Sequence, residues 1–104
     1  MELPKDGDRV LYFFSPFETW WIGTVYLDQV DYFDNGELWE ELVVVGDAGG
    51  FTTWTPEVTK WYPLNYDNLC TVVNSGEKIS THIISTFDMA CGLKTKYTHR
   101  WEYQ

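Results

Sequence analysis

The chain has 104 residues, with 16 Asp and Glu against 7 Lys and Arg, and a formal net charge of −9. This length fits one domain around one core, and the acidity argues against direct binding to nucleic acid or to an anionic membrane. Aromatic residues make up 18% of the chain, so a few large rings can fill a small core. Residues 1–69 hold thirteen of the acids and three of the bases. We expect a single domain, 1–104, made of an acidic β core (1–69) and a near-neutral C-terminal extension (70–104).

Cysteine usage and the N-terminus indicate a reducing compartment. Cys70 and Cys91 are the only cysteines, which is too few for a disulfide framework, and they form no C-x-x-C motif. The first residues lack the basic start and apolar run of a signal peptide, and no apolar stretch approaches the roughly 20 residues that cross a bilayer. We therefore expect a cytoplasmic protein with no membrane partner.

The first 33 residues predict two strands separated by turns. Residues 3–7 contain Pro and Asp-Gly, which favour a turn, and residues 8–14 predict a strand. Pro16 interrupts it because proline cannot donate to a strand ladder. Residues 19–33 predict a long second strand, in which Gly23 indicates a bulge or a close backbone approach.

A hairpin is the strongest local prediction. Asp34-Asn35-Gly36 is typical of a turn that needs positive φ, so it predicts a hairpin spanning residues 20–45, with a return strand over 37–45. The glycine-rich loop 46–50 is followed by a short predicted strand at 51–54. Residues 58–62 predict another strand, which Pro63 ends.

The C-terminal third is less clearly patterned. Residues 69–73, 78–85 and 97–103 predict strands, with a turn at 74–77. Residues 85–93 predict instead one short helix, capped by Ser85 or Thr86. The fold class we expect is mainly β: a small antiparallel sheet or SH3-like curled barrel, with at most one short helix in the C-terminal third.

Three stretches of residues 1–64 resemble a known family. They read Leu3-Pro4-Lys5-Asp6-Gly7-Asp8-Arg9-Val10-Leu11, Trp21-Ile22-Gly23-Thr24-Val25-Tyr26 and Val58-Thr59-Lys60-Trp61-Tyr62-Pro63-Leu64. This pattern is similar to domain of unknown function 551, a small family common in bacteriophages and prophages, with Lys60 where its closing motif usually has His. Residues 27–55 and the tail after Leu64 lie outside the pattern. The resemblance implies an origin in a phage or mobile element and supplies no activity.

The segment from Asp28 to Asp47 combines seven carboxylates with aromatic residues and contains no Lys or Arg. A solvated surface normally mixes both signs of charge, so a one-sign field with aromatic anchors predicts a contact face for a basic partner. The alternative is that the acidity only keeps a small, aromatic-rich protein in solution. The residues that we expect to bind the partner are Asp28, Asp31, Tyr32, Phe33, Asp34, Glu37, Trp39, Glu40 and Glu41.

Catalytic motifs do not emerge from the sequence. His82 and His99 are the only histidines, and neither lies in a Gly-x-Ser-x-Gly or His-Glu-x-x-His motif. Cys91 could pair with either histidine in three dimensions, but a buried structural cysteine and a surface histidine are the ordinary case. No carboxylate pair stands out as tuned by an apolar pocket. We expect no enzyme, no catalytic residues and no cofactor.

The sequence Asp31-x-x-Asp34-Asn35-Gly36 resembles the start of a calcium-binding loop, but two ligand positions of such a loop lack an oxygen donor. With Gly36 at the sixth place of such a loop, Phe33 takes the third and Leu42 the twelfth, and neither supplies an oxygen ligand. We therefore expect no dedicated metal site.

An aromatic cage of the SH3 or Tudor kind is a second hypothesis, because such modules present rings and an acid to a methylated cation or an extended peptide. Its members would come from Trp20, Trp21, Tyr26, Tyr32 and Trp39, with Asp28 or Glu40. Adjacent Trp20 and Trp21 point to opposite faces of a strand, so only one can join a cage.

Charge mimicry is the preferred hypothesis. Residues two apart on one strand face lie about 7 Å apart, close to the spacing of successive phosphates. The acidic hairpin could therefore copy a duplex edge, as phage proteins that block nucleases, restriction enzymes or CRISPR effectors often do. We expect a phage or prophage accessory protein in the bacterial host cytoplasm that binds and inhibits a host protein with a basic surface. A structural or virion-associated protein that assembles through sheet edges is a third hypothesis.

Overall fold

A computed structural model describes residues 2–31 and 33–96, with the side chains of residues 92–96 not described, and its fold is mainly β as predicted. The elements are β1 (Arg9–Phe14), a 3-10 turn (Ser15–Phe17), β2 (Thr19–Val30), β3 (Trp39–Gly46), β4 (Phe51–Thr53), β5 (Val58–Pro63), α1 (Tyr66–Val73), β6 (Lys78–Ile79) and α2 (Thr81–Lys96). Five strands pair antiparallel in the order β4-β3-β2-β1-β5, and β6 pairs parallel with the start of β2.

The sheet is apolar on both faces because β1 and β2 have apolar residues at consecutive positions, and consecutive residues of a strand face opposite sides. One face carries the helix core, in which strand residues meet side chains from α1 and α2. The opposite face carries the Trp54 core. The helix core consists of Leu11, Trp20, Ile22, Leu69, Val72 and Ile83. The Trp54 core consists of Val10, Tyr12, Val25, Val44 and Trp54.

Trp20 and Trp21 show the consequence of this alternation. Trp20 belongs to the helix core, while Trp21 packs against the Trp54 core on the other face, which confirms the predicted divergence of the two rings. Val25 and Trp61 share the Trp54 side with Trp21.

Gly23 marks a close backbone approach, one of the two predicted alternatives. The strand register runs without a break through this position, from Arg9↔Thr24 to Phe14↔Thr19. A Cβ atom on Gly23 would lie 2.5 Å from the carbonyl oxygen of Val45 and 3.0 Å from the Tyr12 ring. The glycine therefore lets β3 and Tyr12 pack directly against β2.

The prediction of at most one short helix was wrong. Residues 69–73, predicted as a strand, lie in α1, where the Asn65 side chain caps the start by accepting a hydrogen bond from the Asn68 amide at 2.8 Å. Buried Leu69 and Val72 are three residues apart and face the sheet. Tertiary packing of that apolar face outweighs the strand preference of the β-branched residues in this segment.

The second helix also replaces a predicted strand. Of residues 78–85, only Lys78 and Ile79 are extended, and α2 begins at Thr81 rather than at residue 85. Buried Ser80 accepts from the Ile83 amide through its hydroxyl at 3.4 Å, an N-terminal signal that the sequence analysis missed. The predicted turn at 74–77 links α1 to β6 instead of two strands. The predicted strand 97–103 lies outside the described residues.

Candidate functional site

The predicted hairpin forms a two-stranded arm. Beyond Leu27 and Leu42 the strands β2 and β3 pair only with each other, because β1 pairs with β2 up to Thr24 and β4 pairs with β3 from Val43. We call residues 28–41 the arm. All its described residues are exposed except Val30 and Glu41, which are half-buried. The arm is therefore the part of the sheet most open to a partner.

The base of the arm is held by the N-terminal turn. The Asp6 carboxylate accepts from the Leu27 amide at 2.8 Å, and the Gly7 amide donates to the Val25 carbonyl at 2.7 Å. These bonds hold β2 against the N-terminal turn as far as Leu27, beyond Thr24, its last partner in β1. They leave residues 28–41 without a third strand.

The pairing register distributes the arm residues between two faces. Asp28 lies opposite Glu41 and Val30 opposite Trp39, on the side of the helix core. Glu40 lies opposite Gln29 on the other side. Asp28 and Glu41 are like charges directly across a ladder, so this arrangement concentrates negative potential on one face.

The carboxylate of Asp31 organises the tip of the arm. Its two oxygens accept from the amides of Asn35 at 3.1 Å and Gly36 at 2.9 Å. Asn35 in turn accepts from the Glu37 amide at 2.9 Å. Asp34 and Gly36 have positive φ values of 51° and 81°, a conformation that Asp and Gly tolerate. Since β2 ends at Val30 and β3 begins at Trp39, the connection is longer than the Asp34-Asn35-Gly36 turn alone.

The remaining described residues of the predicted contact set are exposed to solvent, apart from half-buried Glu41. Phe33 is 68% exposed and Trp39 48% exposed, and the side chains of Asp34, Glu37 and Glu40 are exposed. Tyr32 lies outside the described residues. Leu38, also exposed, was missed by the sequence analysis although it lies beside Trp39. Large apolar side chains in an exposed, acidic segment are a signal of an interaction site.

The carboxylates of the arm do not form an evenly spaced row. Asp28 is the only acid on the β2 side of the arm, Glu40 and Glu41 point to opposite faces, and Asp31 faces the loop backbone. The uniform two-residue spacing that the sequence suggested is thus replaced by an acid pair on one face and a cluster near the tip.

Asp47, the last acid of the predicted segment, lies apart from the arm. Its carboxylate accepts two hydrogen bonds from Arg9, at 2.6 and 2.5 Å, and lies 3.5 Å from His82 Nε2. Arg9 also donates to the Thr24 hydroxyl at 2.9 Å. Hydrogen bonding to Arg9 lowers the pKa of Asp47 despite its partial burial. Asp47 therefore stabilises the fold.

The rings proposed for an aromatic cage are dispersed. Trp20 is only 2% exposed, and Trp21 lies on the opposite face of the sheet. Tyr26 and Trp39 share a face, but Trp39 pairs with Val30, four residues along β2, which separates the two by about 13 Å along the strand. These rings do not surround one cation.

A cation–aromatic cluster does form within the chain, between Lys60 and the rings of Phe13 and Trp20. The Lys60 ammonium lies 4.3 Å from the centroid of Phe13 and 5.7 Å from that of Trp20. It also pairs with Glu77 at 2.5 Å, and the Trp20 indole donates to Glu77 at 3.2 Å. Lys60 thus joins β5 to the loop before β6.

The cysteine and histidine side chains occupy different regions. His82 and Cys91 are nine residues apart on α2, about 13 Å along the axis and on opposite sides of the helix. Cys91 instead lies near Tyr66 on α1. The pKa of Tyr66 is raised to about 12, mainly because Tyr66 hydrogen-bonds to Cys70. Both cysteines are free thiols. His99 lies outside the described residues.

Among residues 2–31 and 33–96, no group of three or more His, Cys, Asp or Glu side chains could hold a metal ion. No helix in the same part of the chain is long and apolar enough to cross a membrane. Comparison of the chain with protein-family models, curated proteins and solved structures finds no match.

Proposed function

We propose that this chain is a phage- or prophage-encoded accessory protein that binds and inhibits a host protein through its acidic arm. The arm enters a basic groove of the partner and occludes it, and its carboxylates supply the negative charge that such a groove attracts, without reproducing the regular spacing of phosphates. The partner is a nuclease, a restriction enzyme or a CRISPR effector, and binding occurs in the host cytoplasm without catalysis. The phage origin rests on the resemblance of residues 1–64 to domain of unknown function 551.

The exposure of Phe33 and Trp39 within the arm carries this proposal. Burying such rings usually stabilises a small domain, yet here they remain in solvent between carboxylates. Each ring offers an anchor that becomes desolvated in a complex. The surrounding acids would speed the encounter with a basic surface and exclude acidic competitors.

The charge distribution supports a basic partner. No Lys or Arg occurs between Val10 and Thr59, so the arm and the parts of β2 and β3 that lead into it carry no Lys or Arg. The two positions of the arm best suited to long-range attraction are Glu37 and Glu40, because both are exposed and neither is needed by the tip loop. Asp31 contributes by shaping the tip.

We also assign the sheet to the SH3-like curled barrels. Consecutive strands β1 to β4 pair in sequence order, and β5 returns to pair with β1. The Trp54 core lies on one face of this sheet, with contributions from β1, β2, β3 and β5, as the interior of a curled sheet requires. In this arrangement the arm is an elongated hairpin of a common scaffold.

The test is affinity capture from a bacterial host lysate with four matched baits. Glu37→Lys/Glu40→Lys and Phe33→Ala/Trp39→Ala change the arm. Glu2→Lys/Asp88→Lys makes the same formal charge change at exposed sites elsewhere. A specific partner should be captured by wild type and by the Glu2/Asp88 variant, and lost with both arm variants.

Two further results would decide the mechanism. Raising the salt concentration should weaken wild-type capture, because exposed charges are screened beyond about 8 Å at physiological ionic strength. The purified complex should block the partner's binding to nucleic acid. Capture that survives both arm variants, or a partner whose nucleic-acid binding is unaffected, would refute arm-mediated inhibition.

A further inference from the structure

A second surface feature lies at the end of the Trp54 core, away from the arm. A groove of about 310 Å³ opens there between the β1–β2 connection and the β3–β4 loop. Its lining is mostly aromatic: Tyr12, Phe14, Phe17, Trp21, Gly49, Gly50, Phe51 and Thr52. This volume is at the lower end of the range for ligand sites, which suits a short extended segment.

Two of the rings project from the groove into solvent. Phe17 is 62% exposed and Phe51 64% exposed, and they come from separate segments, the 3-10 turn and β4. Phe17 packs edge-on against Phe14, with ring centroids 5.1 Å apart. The rings therefore offer flat apolar faces that the folded chain itself leaves uncovered.

Trp21, one of the lining residues, carries a covered hydrogen-bond donor without an acceptor. Trp21 Nε1 is shielded from solvent and has no hydrogen-bond partner among the described residues. An unsatisfied buried donor is costly, and a carbonyl oxygen that reached it would recover that cost. The atom is covered in the free chain, so such a bond requires a side-chain rotation at the groove wall.

The charge around the groove is negative. None of the lining residues is charged, and two glutamates lie beside them. Exposed Glu18 directly follows Phe17, and Glu57 is held beside the groove, its carbonyl accepting from the Ser15 amide at 2.8 Å and its carboxylate from the Thr53 hydroxyl at 2.9 Å. A ligand with a positive charge beside its apolar part is complementary to this rim.

We propose that this groove binds an extended, proline-rich peptide segment that carries Lys or Arg next to the prolines. Proline presents a flat apolar ring and lacks an amide N–H, so its peptide brings carbonyl acceptors that suit aromatic walls and an indole donor. Polyproline helices are recognised in aromatic-lined grooves for this reason. The site is separate from the arm and does not depend on the function proposed for it.

The experiment uses the full chain and a synthetic decapeptide with two Pro-x-x-Pro repeats and one Arg. Isothermal titration should give saturable binding, and the Trp21 indole N–H signal should move in NMR spectra, assigned by its absence in Trp21→Phe. Replacing the prolines by Ala should weaken binding by about tenfold or more, equivalent to 1.4 kcal/mol. Replacing the Arg by Glu should weaken it by a smaller factor.

Groove and arm variants separate the two sites. Phe17→Ala and Phe51→Ala remove exposed rings, so thermal melts should stay close to wild type while peptide binding falls by about tenfold. Phe33→Ala, an equally exposed ring on the arm, should bind the peptide as wild type does and lose only host capture. Binding that does not saturate at about 1 mM peptide would overturn the proposal, as would equal affinity for the alanine-substituted peptide. An indole N–H signal of Trp21 that does not move on titration, or wild-type affinity of both groove variants, would also overturn it.

Discussion

Arg9 and Asp47 form a bidentate salt bridge, with nitrogen–oxygen distances of 2.6 and 2.5 Å, that joins the first strand to the loop after β3. The bridge divides the acidic segment into two parts with different roles. Asp47 is committed to a cation of its own chain, whereas exposed Glu37 and Glu40 extend into solvent on the arm. Negative charge in the sequence is therefore a poor guide to binding until the structure shows which carboxylates the fold already uses.

The first prediction concerns the pH dependence of this bridge. Hydrogen bonding to Arg9 holds the pKa of Asp47 below its ordinary value, so its contribution to stability is complete above a pH of about 4 and is lost as pH falls through the lowered pKa. Asp47→Asn should cost about 1 kcal/mol at pH 7, since both side chains are partly exposed. That cost corresponds to a melting temperature lower by about 4–8 °C.

Thermal melts between pH 7 and pH 2 test this prediction. The gap between wild type and Asp47→Asn should narrow at the acidic end, where the wild-type carboxylate is protonated. Asp88→Asn makes the same chemical change at an exposed position on α2 and should follow the wild-type profile. A gap that stays constant across the range would show that the bridge does not titrate as described.

The second prediction separates loop shape from loop charge. Asp31→Ala removes both acceptors for the Asn35 and Gly36 amides, so these two amides should exchange about tenfold faster or more, with little change in the global melt. Glu37→Ala removes one exposed charge while leaving these bonds intact. Amide hydrogen exchange by NMR is the measurement. Equal exchange in the two variants would show that Asp31 does not hold the tip.

The third prediction ranks three tryptophans by their packing. Trp54 is 3% exposed and belongs to the Trp54 core, so Trp54→Ala should lower the free energy of unfolding by about 3–5 kcal/mol. Trp61 is half-buried, stacks edge-on with Trp54 and donates to the Glu2 carbonyl, so its loss should cost less than that of Trp54. Trp39→Ala on the arm should cost under about 1 kcal/mol. Urea unfolding measures the loss in free energy of unfolding for each variant, provided that the m-value is unchanged. A loss for Trp39→Ala as large as that for Trp54→Ala would contradict the ranking.

The fourth prediction compares two glycines that are required for different reasons. Gly23→Ala places a methyl group 2.5 Å from the Val45 carbonyl, in the sheet itself, and should destabilise the domain by about 3 kcal/mol or more. Gly36→Ala meets no neighbour but must adopt a positive φ of 81°, at a cost of about 1–2 kcal/mol confined to the arm tip. Chemical unfolding of both variants is the measurement, and a similar cost for the two would contradict the close approach of β3.

Local chemistry in the sequence determined the strands and the hairpin. Asp34-Asn35-Gly36 favours positive φ, prolines cannot continue a ladder, and successive residues face opposite sides of a strand, so each signal acts within a few residues. These signals predicted the five antiparallel strands, the divergence of Trp20 and Trp21, and the exposed acidic hairpin. Phe33 and Trp39 were assigned to that hairpin for the same reason.

Only the tertiary structure decided what each polar group and each C-terminal segment does. Leu69 and Val72 lie in a helix because that arrangement packs them onto the sheet, against the local preference of their β-branched neighbours for strand. Arg9 and Asp47 are 38 residues apart, and no local pattern relates them. The aromatic groove likewise joins β1, the 3-10 turn and β4 across the fold. Long-range pairing of this kind depends on the folded topology, which sequence spacing alone does not specify.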